Sequence, residues 1–271
     1  MPELPEVETT RRGLLPQVVG RTVQRVVVRD ARLRWPVPAD LPARLEGHRV
    51  AGIARRGKYL LFDFGDGHLL VHLGMSGSLR RLERPEAPRS HDHIDIVLDD
   101  HSLIRLTDPR RFGAMLWVGK QPEKHALLRD LGPEPLEADF SGRHLFDRSR
   151  GRRVAVKQFL MDAHNVTGIG NIYASEALFH AGIHPSRAAG RIALPRYDRL
   201  AGAIRETLER ALVAGGSTLR NYVGSDGRAG YFQQESAVYD REGQACKACG
   251  TPIRAARHGA RSTYFCPHCQ H

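Results

Sequence analysis

An α+β, multidomain architecture is the fold class this sequence predicts. Three observations predict it: a β-patterned first half behind a short helix, a helical stretch beyond a proline-bearing hinge, and four cysteines that all lie beyond residue 245. With 271 residues, 41% of them apolar types, the chain can bury more than one core. The expected division is an N-terminal β domain over 1–130, a linker over 131–150, a helical domain over 151–234 and a cysteine-bearing finger over 235–271.

Pro5 to about Val19 reads as an amphipathic helix, with Glu6 and Glu8 in its first turn, Arg11 and Arg12 later, and Gly20 closing it. That charge order suits the helix dipole. From Thr22 to Trp117 the period changes to two. Short apolar runs at Val26–Val28, Tyr59–Phe62, Leu69–Val71 and Ile94–Leu98 are separated by turn residues. Phe64-Gly65-Asp66-Gly67, between two of these runs, is a hairpin signal. An antiparallel sandwich or barrel accounts for the pattern. Leu131-Gly132-Pro133-Glu134-Pro135-Leu136 ends it, because neither a helix nor a central strand tolerates that spacing of prolines. Helices are then expected over Val154–Asp162 and Asn171–Ala181, the second stopped by Gly182. A longer one carries Leu200, Ile204, Leu208 and Leu212 and ends at Gly215-Gly216.

Charge narrows the partners. The 41 Lys and Arg outnumber the 30 Asp and Glu, leaving a formal +11, which suits an anionic partner such as nucleic acid as well as simple solubility. No apolar run approaches the ~18 residues of a membrane span, so no membrane association is expected. Glu3, Glu6 and Glu8 stand where a signal peptide would need an apolar run. A cytoplasmic location, with thiols kept reduced, follows as an expectation.

Cys246-x2-Cys249-x16-Cys266-x2-Cys269 is the strongest local pattern. Two close pairs flanking a hairpin-sized insert can hold one zinc ion tetrahedrally, the alternative being disulfides or unrelated thiols. Four thiolates leave no open coordination position, so such a zinc is structural. The insert reads as strands at Thr251-Pro252-Ile253 and Ser262–Phe265, with Arg254, Arg257, His258 and Arg261 at its tip, suited to phosphate. Val166–Tyr173 contributes two glycines, and Asn171 opens a helix whose free N–H groups can meet a phosphate or merely turn the chain. At the start of the chain, removal of Met1 would expose the secondary amine of Pro2. An α-amino group titrates near ~8 against ~10.4 for lysine, so part of it is neutral and nucleophilic at pH 7. Helix dipole and carboxylates push that amine in opposite directions, and Pro-Glu also simply begins helices.

Taken together, Pro2–Glu8, His72–Gly77, Asp108–Gly113, Gly170–Tyr173, Gly216–Arg220, Gly230–Gln233 and the four cysteines resemble bacterial formamidopyrimidine-DNA glycosylase, in family order along essentially the whole chain. The resemblance implies an N-terminal β-sandwich behind the short helix, a helix–two-turns–helix domain and a zinc β-hairpin finger. It also implies a monomer acting on double-stranded DNA that contains oxidised bases. The activity implied is removal of oxidised purines, 8-oxoguanine opposite cytosine and formamidopyrimidines, followed by strand cutting through β,δ-elimination. In that scheme Pro2 is the Schiff-base nucleophile and Glu3 the acid–base group. Lys58 is a proton donor and phosphate contact, and Arg261 assists the second elimination. Asn171, His91 and Arg152 contact DNA, while Met75, Arg110 and Phe112 fill the gap left by a flipped nucleotide. The wedge is physically reasonable, since apolar side chains replace lost stacking and an arginine can donate to an orphaned cytosine.

Two rival readings remain. The endonuclease VIII type, specific for oxidised pyrimidines, shares Pro2 and Glu3 but resembles this chain less at Leu4 and Phe112. A catalytically silent DNA-binding zinc protein would not need Pro2, Glu3 and Lys58 together. Asn221 and Thr167 depart from the usual family pattern, which bears on substrate preference. The histidines at 93, 101 and 184, and Asp99-Asp100, read as hydrogen-bonding and turn residues.

Overall fold

Strand alternation in the first half produces two antiparallel four-stranded sheets. A computed structural model describes residues 1–216 and 236–271. Ser217–Arg220 and Gly230–Gln233, which carry part of the resemblance, and Asn221, which departs from it, lie outside the described residues. Those described form two units, one holding Met1–Arg129 and the other Asp130–Ala214 with the C-terminal residues.

In the first unit, α1 (Leu4–Val18) precedes β1 (Val23–Val28), and the short α2 (Leu41–Leu45) follows. Next come β2 (Gly52–Arg56), β3 (Tyr59–Asp63), β4 (His68–His72) and β5 (Ser78–Leu82). Then β6 (Asp92–Leu98), β7 (Leu103–Thr107) and β8 (Ala114–Trp117) complete the set. One sheet has the order β1-β6-β7-β5 and the other β2-β3-β4-β8. Val26, Ile94, Ile96 and Leu106 from the first share one core with Leu60, Phe62, Leu69 and Val71 from the second, so the architecture is a sandwich. Val7, Leu14 and Val18 of α1 enter the same core. The β3–β4 hairpin closes with Phe64 N–H on Gly67 O at 2.9 Å, and Gly65 supplies the positive φ of +82°.

The second unit holds α3 (Gly142–Ser149), α4 (Val156–Met161), α5 (Asn171–His180) and α6 (Leu194–Val213), then the finger hairpin β9 (Arg254–His258) and β10 (Arg261–Phe265). Two sequence expectations shift here. The segment 131–150 contains the helix α3, capped by Ser141, whose hydroxyl accepts from His144 N at 3.1 Å. The first finger strand begins at Arg254 instead of Thr251, because Pro252 lacks an N–H and forms only an isolated bridge with Ala245. Arg254 and Arg257 are therefore strand residues, and the turn itself is Gly259-Ala260.

Candidate functional site

Helix α1 buries its own start. Glu3 and Glu6 are 2% and 1% exposed and form a capping box, with the Glu6 carboxylate accepting from Glu3 N at 2.8 Å. Pro2 is buried beside them. Burial lowers the pKa of the Met1 amine, Glu3 and Glu6 oppose that shift, and Lys58 and Arg110 add to it. Burial therefore outweighs the carboxylates at the Met1 amine, which is the amine of the chain before Met1 is removed. Four of the residues singled out by sequence, Pro2, Glu3, Lys58 and Arg110, thus surround the chain start. Lys58 occupies the tight β2–β3 turn after Gly57.

Met75, Arg110 and Phe112 lie on two turns in backbone contact. Gly74 has φ +63°, and a Cβ there would lie 2.5 Å from the carbonyl carbon of Phe112. Only glycine allows the Met75 and Phe112 turns to approach so closely. Buried Asp108 shapes the second turn, accepting from Gly113 N at 2.7 Å and Arg110 N at 3.3 Å. Met75 and Phe112 remain 37% and 43% exposed, and the Arg110 guanidinium lies over the Phe112 ring at 5.0 Å. His91 is joined to this turn, its carbonyl accepting from Asp108 N at 3.0 Å.

Sequence reasoning gave His72 no role. Its Nδ1 accepts from Gly74 N at 3.1 Å and its ring lies 4.8 Å from the Tyr59 ring. Burial first, then Lys58 and Arg34, push its pKa down to about 4, so at neutral pH the ring is uncharged with its proton on Nε2. The signal available was its position two residues before the Gly74 turn.

In the second unit, Asn171 and Arg261 line one cavity of about 460 Å³ together with Lys157, Gln158, His164 and Gly259. Asn171 sits at the first turn of α5, where its Nδ2 donates to Tyr239 Oη at 3.4 Å. Lys157 is fully buried and donates to Ser262 O and Thr263 Oγ1, both at 3.0 Å, which fixes the hairpin bearing Arg261. Arg152 lines a different concavity. The four cysteine Sγ atoms all lie within 4.8 Å of one another. Ala248 N donates to Cys246 Sγ and Cys269 N to Cys266 Sγ, each at 3.4 Å. Burial and the three neighbouring sulfurs push the Cys269 thiol up to about 12. A dication reverses that cost, so the donor set and its spacing fit one tetrahedral zinc.

Family models match nearly the whole chain: the formamidopyrimidine-DNA glycosylase N-terminal domain over residues 1–115, its H2TH domain over 131–223, and the zinc finger found in FPG and IleRS over 243–271. The chain belongs to the formamidopyrimidine-DNA glycosylase family. A member from Bordetella avium is 58% identical over 274 residues, covering 100% of this chain and 99% of that one. Among solved structures, the MutM (Fpg) protein from Thermus thermophilus is 43% identical, with a TM-score of 0.89 over 99% of this chain and 98% of that one. A Lactococcus lactis Fpg mutant solved with Fapy-dG containing DNA is 35% identical, with a TM-score of 0.92 over 99% of both chains. The H2TH match begins at residue 131 and so takes in α3 as well as the helices beyond it. Family membership also accounts for the finger: its match spans all four cysteines and both strands of the hairpin.

Proposed function

We propose that the protein is a base-excision repair glycosylase and AP lyase that removes oxidised purines from duplex DNA, working in the cytoplasm on the bacterial chromosome. The observation that carries this reading is the buried chain start, where Glu3, Glu6, Lys58 and Arg110 act on one terminal amine. The Fapy-dG in the Lactococcus lactis complex supports the purine class.

Once Met1 is removed, the Pro2 nitrogen attacks C1′ of the damaged nucleoside. The C1′–base bond breaks and the departing base takes up the proton shed by the Pro2 nitrogen; Glu3 then gives a proton to the ring oxygen, and the C1′–O4′ bond opens to leave an iminium on Pro2. The secondary amine has by then shed its only N–H proton, so the cation cannot collapse to a neutral imine. Loss of a C2′ proton then expels the 3′ phosphate, and a second elimination expels the 5′ phosphate. Lys58 supplies a proton in the first of these steps and Arg261 steadies the phosphate in the second. While the base is out of the stack, Met75 and Phe112 fill the gap and Arg110 faces the orphaned cytosine. Arg261, Asn171, His91 and Arg152 hold the backbone. Cys246, Cys249, Cys266 and Cys269 hold a structural zinc whose chemistry is to fix the finger.

Borohydride trapping of the full-length protein tests this directly, using a duplex with one 8-oxoguanine opposite cytosine and a thymine-glycol duplex beside it. A covalent adduct and strand cut mainly on the first duplex is the expected result. Adducts mainly on thymine glycol would move the protein to the pyrimidine-specific activity. No adduct on either would defeat the enzyme assignment.

A further inference from the structure

Two loops of the helical unit are joined by backbone hydrogen bonds into a clasp. Residues 150–155 follow α3, and residues 187–191 approach α6. Val156 N donates to Arg187 O at 2.8 Å, Ala189 N to Val154 O at 2.9 Å, and Gly190 N to Arg152 O at 2.9 Å. Ala155 and Ala188 form a bridge between these bonds. From beneath, buried Tyr197 of α6 donates its hydroxyl to Ala189 O at 3.0 Å. Residue 190 must be glycine here: a Cβ would lie 2.8 Å from Arg152 O and 3.1 Å from both Arg152 N and Ser149 O.

The clasp gathers positive charge. Arg152 and Arg153 from one loop and Arg191 from the other line a concavity of about 490 Å³, whose remaining lining is Gly151, Ala188 and Gly190. No carboxylate lines it, and all three arginines are exposed. Neighbouring arginines are spent locally. Arg150 donates to Ser149 Oγ and Ile192 O, Arg143 pairs with Asp147, and Arg196 donates to Gly182 O and His271 O. None of the three clasp guanidiniums has such a partner among the described residues. Holding three like charges together is unfavourable unless an anion binds. Glycines at the rim also let a ligand approach the backbone closely.

We propose that Arg152, Arg153 and Arg191 form a single phosphodiester-binding site that grips the backbone of duplex DNA. The resemblance assigns a DNA contact to Arg152 alone, so Arg153 and Arg191 are new members and the loop 187–191 a new contributor. The inference rests on the duplex-DNA reading above. Three cations exceed the charge of one phosphodiester and match the repeating charge of a strand, which carries a phosphate every ~3.4 Å. Such a site has no means of reading bases. Its contribution is to affinity for any duplex, damaged or not, and not to the bond-breaking steps.

The test uses the full-length zinc-loaded protein and fluorescence anisotropy with an undamaged duplex and an 8-oxoguanine duplex across a salt series. Replacing both side chains, Arg153→Ala with Arg191→Ala, should lower the slope of log K against log salt by ~0.9 per lost contact. Both duplexes should weaken by the same factor, on the order of ten at physiological salt. Excision under single-turnover, saturating conditions should stay at the wild-type rate. Arg153→Lys with Arg191→Lys should keep the slope, and Arg143→Ala, whose guanidinium already faces Asp147, should leave it untouched. An unchanged slope and affinity in a double alanine variant of normal circular dichroism and zinc content would overturn the site. So would a loss confined to the damaged duplex or to the excision rate. A wild-type protein whose duplex binding ignores salt would instead remove the duplex-DNA reading itself.

Discussion

In the β-sandwich unit the two carboxylates at the chain start are buried, whereas in the helical unit the arginines of interest stand in solvent on short loops and a hairpin. Glu3 and Glu6 lie at 2% and 1% exposure around the chain start, and their surroundings shift the neighbouring amine. Arg261, Arg152, Arg153 and Arg191 are exposed, on a hairpin and loops that backbone hydrogen bonds and the side chains of Lys157 and Tyr197 hold in place. Burial changes proton affinity, which is the currency of chemistry. Exposure preserves full charge and mobility, which suits salt-sensitive attraction to phosphate. Lesions in the first unit should therefore stop the reaction, and lesions in the second should loosen the complex.

The sharpest way to break that contrast is at the amine. Pro2→Ala, which leaves a primary amine, should lose most borohydride-trappable adduct, and Glu3→Gln should slow base release by ~10²-fold or more, with duplex affinity nearly unchanged in both. A large affinity loss from either would erase the distinction between the units. Removing zinc with a strong chelator should come next in size. The hairpin carrying Arg261 should unfold and duplex binding should collapse, while the near-UV signature of the β-sandwich persists. Binding that survives in metal-free protein would refute a structural zinc.

A third test addresses the wedge. Gly74→Ala must push its Cβ away from Phe112 carbonyl carbon, 2.5 Å distant, at a φ of +63°. A stability loss of about 1–3 kcal/mol, measured by urea unfolding, should accompany slower excision of a paired lesion than of one in a single strand. Equal slowing on both substrates would mean that Met75 and Phe112 do not act as a wedge. The smallest effect concerns Glu8. Burial raises its pKa, but hydrogen bonds from Arg11 and Arg12 and the charge of Arg55 outweigh this and hold it at about 2. A depressed carboxylate stabilises the fold above its unfolded value near ~4.3, and that contribution disappears as pH falls through about 2. Acid unfolding followed by circular dichroism should steepen in that window, and Glu8→Gln should flatten it. An unaltered acid profile would show that the cluster contributes nothing to stability.

How far the sequence reached can be seen element by element. The hairpin at Phe64–Gly67 and the stripe Leu200, Ile204, Leu208 of α6 were legible because turn chemistry and periodicity are local. Helix α3 was not, because Gly142 weakens helix propensity and is kept only by contact: its Cβ would sit 2.3 Å from Asp198 Oδ1. Helix α4 begins at Val156 instead of Val154 for a similar reason. The backbone of residues 154–156 pairs with 187–189, and no local signal announces a partner loop so distant in the chain. Among site residues, local chemistry pointed to Pro2 and the cysteines and the family resemblance to Glu3 and Lys58, while His72 was passed over because its significance lies in burial.

What the sequence determined by itself was therefore chemical inventory and local form: a secondary amine next to carboxylates, four thiols at zinc spacing, strands, helices and turns. The tertiary structure alone decided the direction of the shift at the Met1 amine, since that depends on burial and on Lys58 and Arg110 arriving from other elements. It alone decided that the Gly74 turn meets the Phe112 backbone, and that Arg191 joins Arg152 and Arg153 across Gly190. Close backbone approach and desolvation are properties of packed chains, and neither is written in any short stretch of residues.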